Sequence, residues 1–101
     1  MELAHFKTQL NKEKNRFELK LEKDLAFIEF KVASKGDIYM VHTEVPSVYK
    51  GKGVGHKLVR ESLEIVEQEG CLMIPICPFV RSFIQSNRED YQNILSPKAK
   101  I

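Results

Sequence analysis

The sequence predicts an α/β domain built on one mixed sheet, with antiparallel strands first, a parallel β-α-β crossover next and a closing helix. Three observations carry that prediction. Residues 16–21 and 25–32 alternate apolar and polar side chains, the period-two pattern of half-buried strands. From Gly53 the period lengthens to that of an amphipathic helix. Between these regimes an apolar run, 38–45, leads into a glycine-rich turn from which the helix starts at once.

In chain order, Phe17, Leu19 and Leu21 share one side of the first strand. Ala26, Ile28, Phe30 and Val32 share one side of the second, opposed by Glu29 and Lys31. Glu22-Lys23-Asp24 makes the turn between them, and residues 34–37 make the next, with Gly36 free to adopt a positive φ. Residues 38–45 form the third strand, the more apolar of the three as a central strand should be, and Pro46 ends it because proline cannot donate to the ladder. The helix over 53–69 buries Val54, Leu58, Ser62, Leu63 and Val66 and turns Lys57, Arg60, Glu61, Glu64 and Glu67 outward; Gly70 terminates it. Residues 71–76 form a fourth strand, which Pro75 marks as an edge or a distortion. Pro78 opens a second helix reaching about Asn87, with Phe79, Phe83 and Ile84 inward. Strands three and four flank a helix long enough for a right-handed crossover and should be parallel. The whole of 1–101 reads as a single domain with loose ends at about 1–12 and 92–101.

Composition narrows the function classes. Hydrophobic content of 43% and charged content of 30% fit a soluble globular protein, and a net charge of +2 gives nucleic acid little to bind. No segment approaches the ~20 apolar residues a membrane span needs, and the first residues lack a signal-peptide core. The expectation is a cytoplasmic protein, monomeric, with neither nucleic acid nor membrane as partner. Cys71 and Cys77 on one strand would lie roughly 20 Å apart, beyond the roughly 7 Å reach of a disulfide. They are expected as free thiols without metal-ligand spacing, so no metal site is expected.

The stretch Tyr49-Lys50-Gly51-Lys52-Gly53-Val54-Gly55-His56-Lys57 carries the chemistry. A strand, a glycine turn and a helix start together hold pyrophosphate: glycine lets the backbone approach, unpaired N–H groups point outward, and the helix N-terminus adds partial positive charge. The nucleoside-triphosphate loop does not fit, since Gly51-Lys52 is followed by Gly53 and Val54 and no hydroxyl is placed for magnesium. The dinucleotide fingerprint fails where His56 replaces its third glycine. Lys50, Lys52, His56, Lys57 and Arg60 precede Glu61, Glu64, Glu67 and Glu69, an order that opposes the helix dipole. A bound polyanion would reverse that local sign; alternatively the charges are solvated and screened.

Residues 50–55 resemble the Arg/Gln-x-x-Gly-x-Gly/Ala loop of the GNAT acetyltransferase superfamily. With His42-Thr43-Glu44-Val45-Pro46 before the loop and Ile76-Cys77-Pro78-Phe79-Val80 after it, residues 15–90 are similar to its short, single-domain branch. The resemblance implies an N-acetyltransferase that uses acetyl-CoA and releases coenzyme A. It places Lys50, Gly51, Lys52, Gly53, Val54 and Gly55 on the pyrophosphate, with His56 able to touch phosphate. Backbone groups of Glu44 and Val45 face the pantetheine and thioester, in a gap where the third strand splays from the fourth. Lys50 stands where that superfamily has Arg or Gln, losing the planar fork. The helices that usually follow the first strand are missing, and Phe83 stands near the usual catalytic tyrosine.

Three residues are candidates for catalysis. Cys77 precedes Pro78 at the N-cap of the second helix, where a thiol loses its proton more readily; the plain alternative is a packed small hydrophobe, which is also the reading for Cys71. Strand alternation puts His42 on the side of Met40 and Glu44, opposite Tyr39, Val41 and Thr43, and the splay would bring it toward Cys77. His42 is then a general base for an incoming amine or the partner of a Cys77 thiolate, with Glu44 a second base. Two routes stay open: direct attack by the amine with the Val45 N–H polarising the carbonyl, or transfer through Cys77. The acceptor is a small-molecule or peptide amine. A non-catalytic acyl-CoA-binding or partner-binding module that keeps the cleft is the competing class, and a basic-patch nucleic-acid binder the third.

Overall fold

Alternation along the first half of the chain becomes a five-stranded sheet in the computed structural model, which describes residues 2–99. Strands β1 (Thr8–Asn11), β2 (Arg16–Lys20), β3 (Leu25–Val32), β4 (Ile38–Glu44) and β5 (Met73–Pro75) lie side by side in chain order. The first four are antiparallel, and β5 joins β4 in parallel after the crossover helix α1 (Val54–Glu69). Two shorter helices follow, α2 (Pro78–Ser86) and α3 (Arg88–Tyr91), with 3-10 turns at Leu3–His5, Ser47–Tyr49 and Gln92–Ile94. The expected mixed α/β architecture is therefore present, with Pro75 on the edge strand.

One core joins the sheet to the helices. Phe17, Leu19, Ala26, Ile28 and Phe30 from β2 and β3 pack against Val54, Leu58, Val59, Leu63 and Val66 of α1 and against Val80 and Ile84 of α2. Each fully buried side chain of leucine size contributes about 1.5–3 kcal/mol. Helix α1 stops at Gly70, whose φ of 72° lets its N–H reach the Glu67 carbonyl while Cys71 N–H bonds Val66. Cys71 and Cys77 are free thiols.

Both described ends carry secondary structure or a strand contact. Residues 8–11, expected within a loose N-terminus, form the edge strand β1, in register from Thr8 opposite Leu19 to Asn11 opposite Arg16. Four residues with one large apolar side chain, Leu10, give too short a pattern to register as alternation. At the other end Leu95 bridges Met73, Ser96 N–H bonds the Met73 carbonyl at 2.9 Å, and Ile94 is buried. The tail thus covers the open edge of β5, a common protection for an unpaired strand. Residues 100–101 of the expected tail lie outside the described residues.

Lys57 departs from its expected outward place. It is 6% exposed, and its Nζ donates to Glu61 Oε2 at 2.8 Å one turn along α1. Glu61 Oε1 accepts the Thr8 N–H at 2.9 Å, so the pair fastens β1 to the helix. A charged residue inside a helical pattern reads as solvent-facing until a strand is known to cover it; β1 is that strand. Burial pushes the Glu61 carboxyl up, but hydrogen bonds from Lys57 and Thr8 outweigh it and hold the carboxyl below its ordinary value.

A depressed carboxyl stabilises the fold above its unfolded-state pKa, and the contribution is lost as pH falls through the lower, folded value. Glu61→Gln, which leaves Lys57 without its counter-charge, should cost about 2 kcal/mol at neutral pH in denaturant unfolding. The gap between wild type and variant should close as the pH drops below the ordinary carboxylate range.

Candidate functional site

The site begins at an irregularity in β4. Glu29 stands opposite His42 but Phe30 stands opposite Met40, so Val41 is an extra residue on β4, a β-bulge. A bulge shifts the alternation by one position. Beyond it Thr43 lies opposite the fully buried Ile28 and shares the core-side face with Met40. His42 and Glu44 lie opposite Glu29 and Phe27 on the other face. This reverses the sequence expectation, which continued a plain strand and put His42 beside Met40.

The same point ends the parallel pairing. β4 and β5 match from Ile38 opposite Met73 to Met40 opposite Pro75 and no further. The Met40 carbonyl accepts both the Ile76 N–H at 3.0 Å and the Cys77 N–H at 2.8 Å, which turns the chain out of β5 and into α2. The remainder of β4 has β3 on one side only, giving the expected splay.

A cleft of about 710 Å³ fills that gap. Its walls are Thr43, Glu44 and Val45 at the end of β4, Tyr49, Lys50, Gly51 and Gly53 in the loop, Val54, Gly55 and His56 at the start of α1, and Phe79 on α2. Of the residues expected around a coenzyme, Glu44, Val45, Lys50, Gly51, Gly53, Val54, Gly55 and His56 meet here; Lys52 is exposed in the loop and does not line the cleft. Thr43, Tyr49 and Phe79 are additions. Only the bulge brings Thr43 inward. Phe79, expected on the buried side of α2, is 40% exposed; Ile84 is buried as expected, and Val80 joins it on the inner side.

The three loop glycines have two different reasons. Gly51 (φ 77°) and Gly53 (φ 82°) occupy left-handed backbone, which other residues adopt only with strain. Gly55 is ordinary helix, but a Cβ there would lie 2.8 Å from Phe79 Cζ. Its bareness lets the Phe79 ring lie over the first turn of α1. Among the described residues, the N–H groups of Gly51 and of Gly53 through His56 have no protein acceptor. The first turn of α1 holds no acid, and Lys50 and Lys52 stand exposed beside it. The arrangement suits a diphosphate: unpaired amides, a helix N-terminus and two cations. Of the five bases expected there, Lys57 is committed to Glu61, and His56 lies near Phe79 and Phe83 with ring centroids 6.0 and 5.7 Å apart.

The candidate catalytic residues divide. His42 and Glu44 form an exposed pair, Nε2 to Oε1 3.6 Å, with the Phe27 ring 6.2 Å from the imidazole. Cys77 lies on the helix side of the sheet, 6% exposed, with its Sγ 3.3 Å from Thr43 Oγ1. The bulge thus separates His42 from Cys77 and gives the thiol a threonine partner. Burial pushes the Cys77 thiol up, but the Thr43 hydroxyl and the Val80 and Phe79 amides outweigh it, so the thiol titrates below its ordinary value.

Comparison with known proteins bears on this geometry. Residues 16–94 match the family model described as GCN5-related N-acetyl-transferase. The chain is similar to Protein NATD1 of Bos taurus, 28% identical over 64 residues that cover 63% of this chain and 57% of the relative. It is similar to Protein NATD1 of Mus musculus, 24% identical over 79 residues (76% and 72%), and of Danio rerio, 23% over 86 residues (83% and 78%). The match spans little more than half the length of the bovine relative. No helix among the described residues is long and apolar enough to cross a membrane.

The contact at Gly55 generates a double-mutant test. Gly55→Ala should destabilise the protein by about 1 kcal/mol, because the new methyl must displace the Phe79 ring. In a Phe79→Ala background the same change should stabilise by about 0.5–1 kcal/mol, the ordinary helix preference for alanine over glycine. Denaturant unfolding of the four proteins measures both values.

Proposed function

This chain belongs to the GCN5-related N-acetyltransferase family, and on that premise we propose that it is an acetyl-CoA-dependent N-acetyltransferase acting on a small-molecule or peptide amine, as a cytoplasmic monomer. The observation that carries the reading is the row of unpaired amides, Gly51 and Gly53 through His56, at one end of a cleft whose other end is the splay of β4 from β5. A diphosphate held by those amides, with Lys50 and Lys52 beside it, leaves the rest of the carrier to run along Glu44 and Val45.

The bound thioester supplies an acetyl carbonyl open to a nucleophile. The protein aligns it through backbone groups of Glu44 and Val45, whose N–H and C=O can order an extended chain as a neighbouring strand would. Glu44 lines the cleft and lies 3.6 Å from His42, which makes this pair the proton acceptor for an amine entering from the open sheet face. Direct attack by the amine is the favoured route. Cys77 is nearly enclosed and stands behind Thr43, away from the cleft wall, whereas a covalent intermediate requires the sulfur to reach the carbonyl. The lowered titration of Cys77 favours the two-step route, which the experiment below separates. The separation of His42 from Cys77 favours the other class, a non-catalytic module that holds an acyl-CoA without transfer.

Calorimetric titration with coenzyme A, followed by mass spectrometry of amines incubated with the protein and labelled acetyl-CoA, tests the reading. Binding and an acetylated amine are expected. Gly53→Ala should weaken coenzyme A binding at least about tenfold while the protein stays folded, since a methyl in left-handed backbone costs about 1–2 kcal/mol or pulls the loop away from the ligand. Binding without transfer would leave the module, label retained on Cys77 would favour the two-step route, and absence of binding would end both.

A further inference from the structure

Thr43 lines the cleft, and its side chain is tied to a group behind the wall. Its hydroxyl oxygen is 3.3 Å from Cys77 Sγ, and either atom can donate. The bulge at Val41 puts it there: without the extra residue Thr43 would face the opposite side of the sheet, as His42 and Glu44 do. On the far side of the sulfur is the start of α2, whose Val80 and Phe79 amides favour a negative charge on it. The titratable groups on the surrounding elements are placed elsewhere. His42 and Glu44 face the other side of the sheet, His56 lies against Phe79 and Phe83, and Arg81 Nε donates to the Pro75 carbonyl at 3.4 Å.

We propose that Thr43 is a catalytic residue that connects the enclosed Cys77 thiol to the cleft, its hydroxyl passing the Cys77 proton to a thiolate leaving there. The inference rests on the acetyltransferase reading and deepens it. When an amine nitrogen bonds to the acetyl carbon, the carbon–sulfur bond breaks and its electron pair stays on the departing sulfur, which then needs one proton. The Thr43 O–H gives that proton and takes another from the Cys77 S–H. Cys77 is left as a thiolate facing the Thr43 hydroxyl and the first amides of α2. The proton lost by the amine leaves through the His42–Glu44 pair, and Cys77 is recharged from solvent, so the proton count closes over one turnover.

This arrangement gives a nearly buried thiol a chemical role without contact with the acetyl group. It also gives a reason for a hydroxyl at position 43, beside a face otherwise filled by apolar Ile28, Phe30 and Met40. A threonine packed there for shape alone could be exchanged for valine, which has the same outline, with no effect on the sulfur.

The test uses the ligand-free protein first. Thiolate ultraviolet absorbance is followed against pH, with Cys77→Ala as the subtraction, in wild type, Thr43→Val and Thr43→Ser. Thr43→Val should reduce the Cys77 thiolate fraction at neutral pH by about tenfold, the effect of one hydrogen bond to a charged sulfur, and Thr43→Ser should restore it to within about twofold. Thermal melts check that each variant is folded, and Thr43→Ala, which also removes the hydroxyl and carries the same expectation, takes the place of the valine variant if that one is not. In transfer assays, Thr43→Val should slow thiol release with little change in the KM for the thioester. A further loss on adding Cys77→Ala should be much smaller than the loss from Cys77→Ala alone. A Thr43→Val titration that matches wild type overturns the proposal by itself. Wild-type protein that transfers no acetyl group overturns the acetyltransferase reading and the relay together, even where the titration behaves as expected.

Discussion

The acceptance of two N–H groups by the Met40 carbonyl is the interaction on which the rest of the site depends. It ends the pairing of β4 with β5, starts the turn into α2, and falls next to the bulge that reverses the faces of β4. Had the two strands stayed paired to Glu44, their backbone groups would bond each other and leave no gap. The splay instead leaves 41–44 with one strand neighbour, and the cleft occupies the vacant side. Backbone groups of residues 41–44 that point away from β3 are free for a ligand because β5 no longer pairs with them.

The glycine loop completes the cleft by removing side chains in two ways. At Gly51 and Gly53 the backbone turns through left-handed conformations, and among the described residues the N–H groups of Gly51 and of Gly53 through His56 have no protein acceptor. At Gly55 the helix is regular, and the missing methyl makes room for Phe79 of the neighbouring helix. The loop and α2 therefore depend on each other: the first turn of α1 is bare so that a ring can lie over it, and that ring becomes a wall of the site.

Charge follows the same division between site and scaffold. Lys50 and Lys52 stand exposed where an anion would bring compensation. Lys57, three residues into the helix, already has a carboxylate partner and holds the edge strand β1 in place. Removing water from an ion pair is costly unless its remaining hydrogen-bonding groups are satisfied, and the Thr8 amide satisfies the second Glu61 oxygen. The lysines that surround the glycine motif in sequence thus divide between the exposed loop and the scaffold.

Most of the fold was legible in the sequence because its signals are local. Alternation at Phe17–Leu21 and Ala26–Val32, the 3.6-residue period from Val54 to Val66, and the stops at Pro46 and Gly70 each depend on a few neighbours in the chain. The glycine loop was legible for the same reason, since backbone freedom is a property of single residues. β1 was not, because four mainly polar residues become a strand only when β2 and the Lys57–Glu61 pair are there to receive them. The partner of Cys77 was not, because one inserted residue at Val41 exchanges the two faces of β4 and sequence alternation carries no mark of it. The sequence by itself determined most of the elements and where the backbone is bare of side chains. The tertiary structure alone decided that Thr43 meets Cys77 while His42 faces the other way, because strand register is set by pairing across the sheet, between residues the chain order keeps apart.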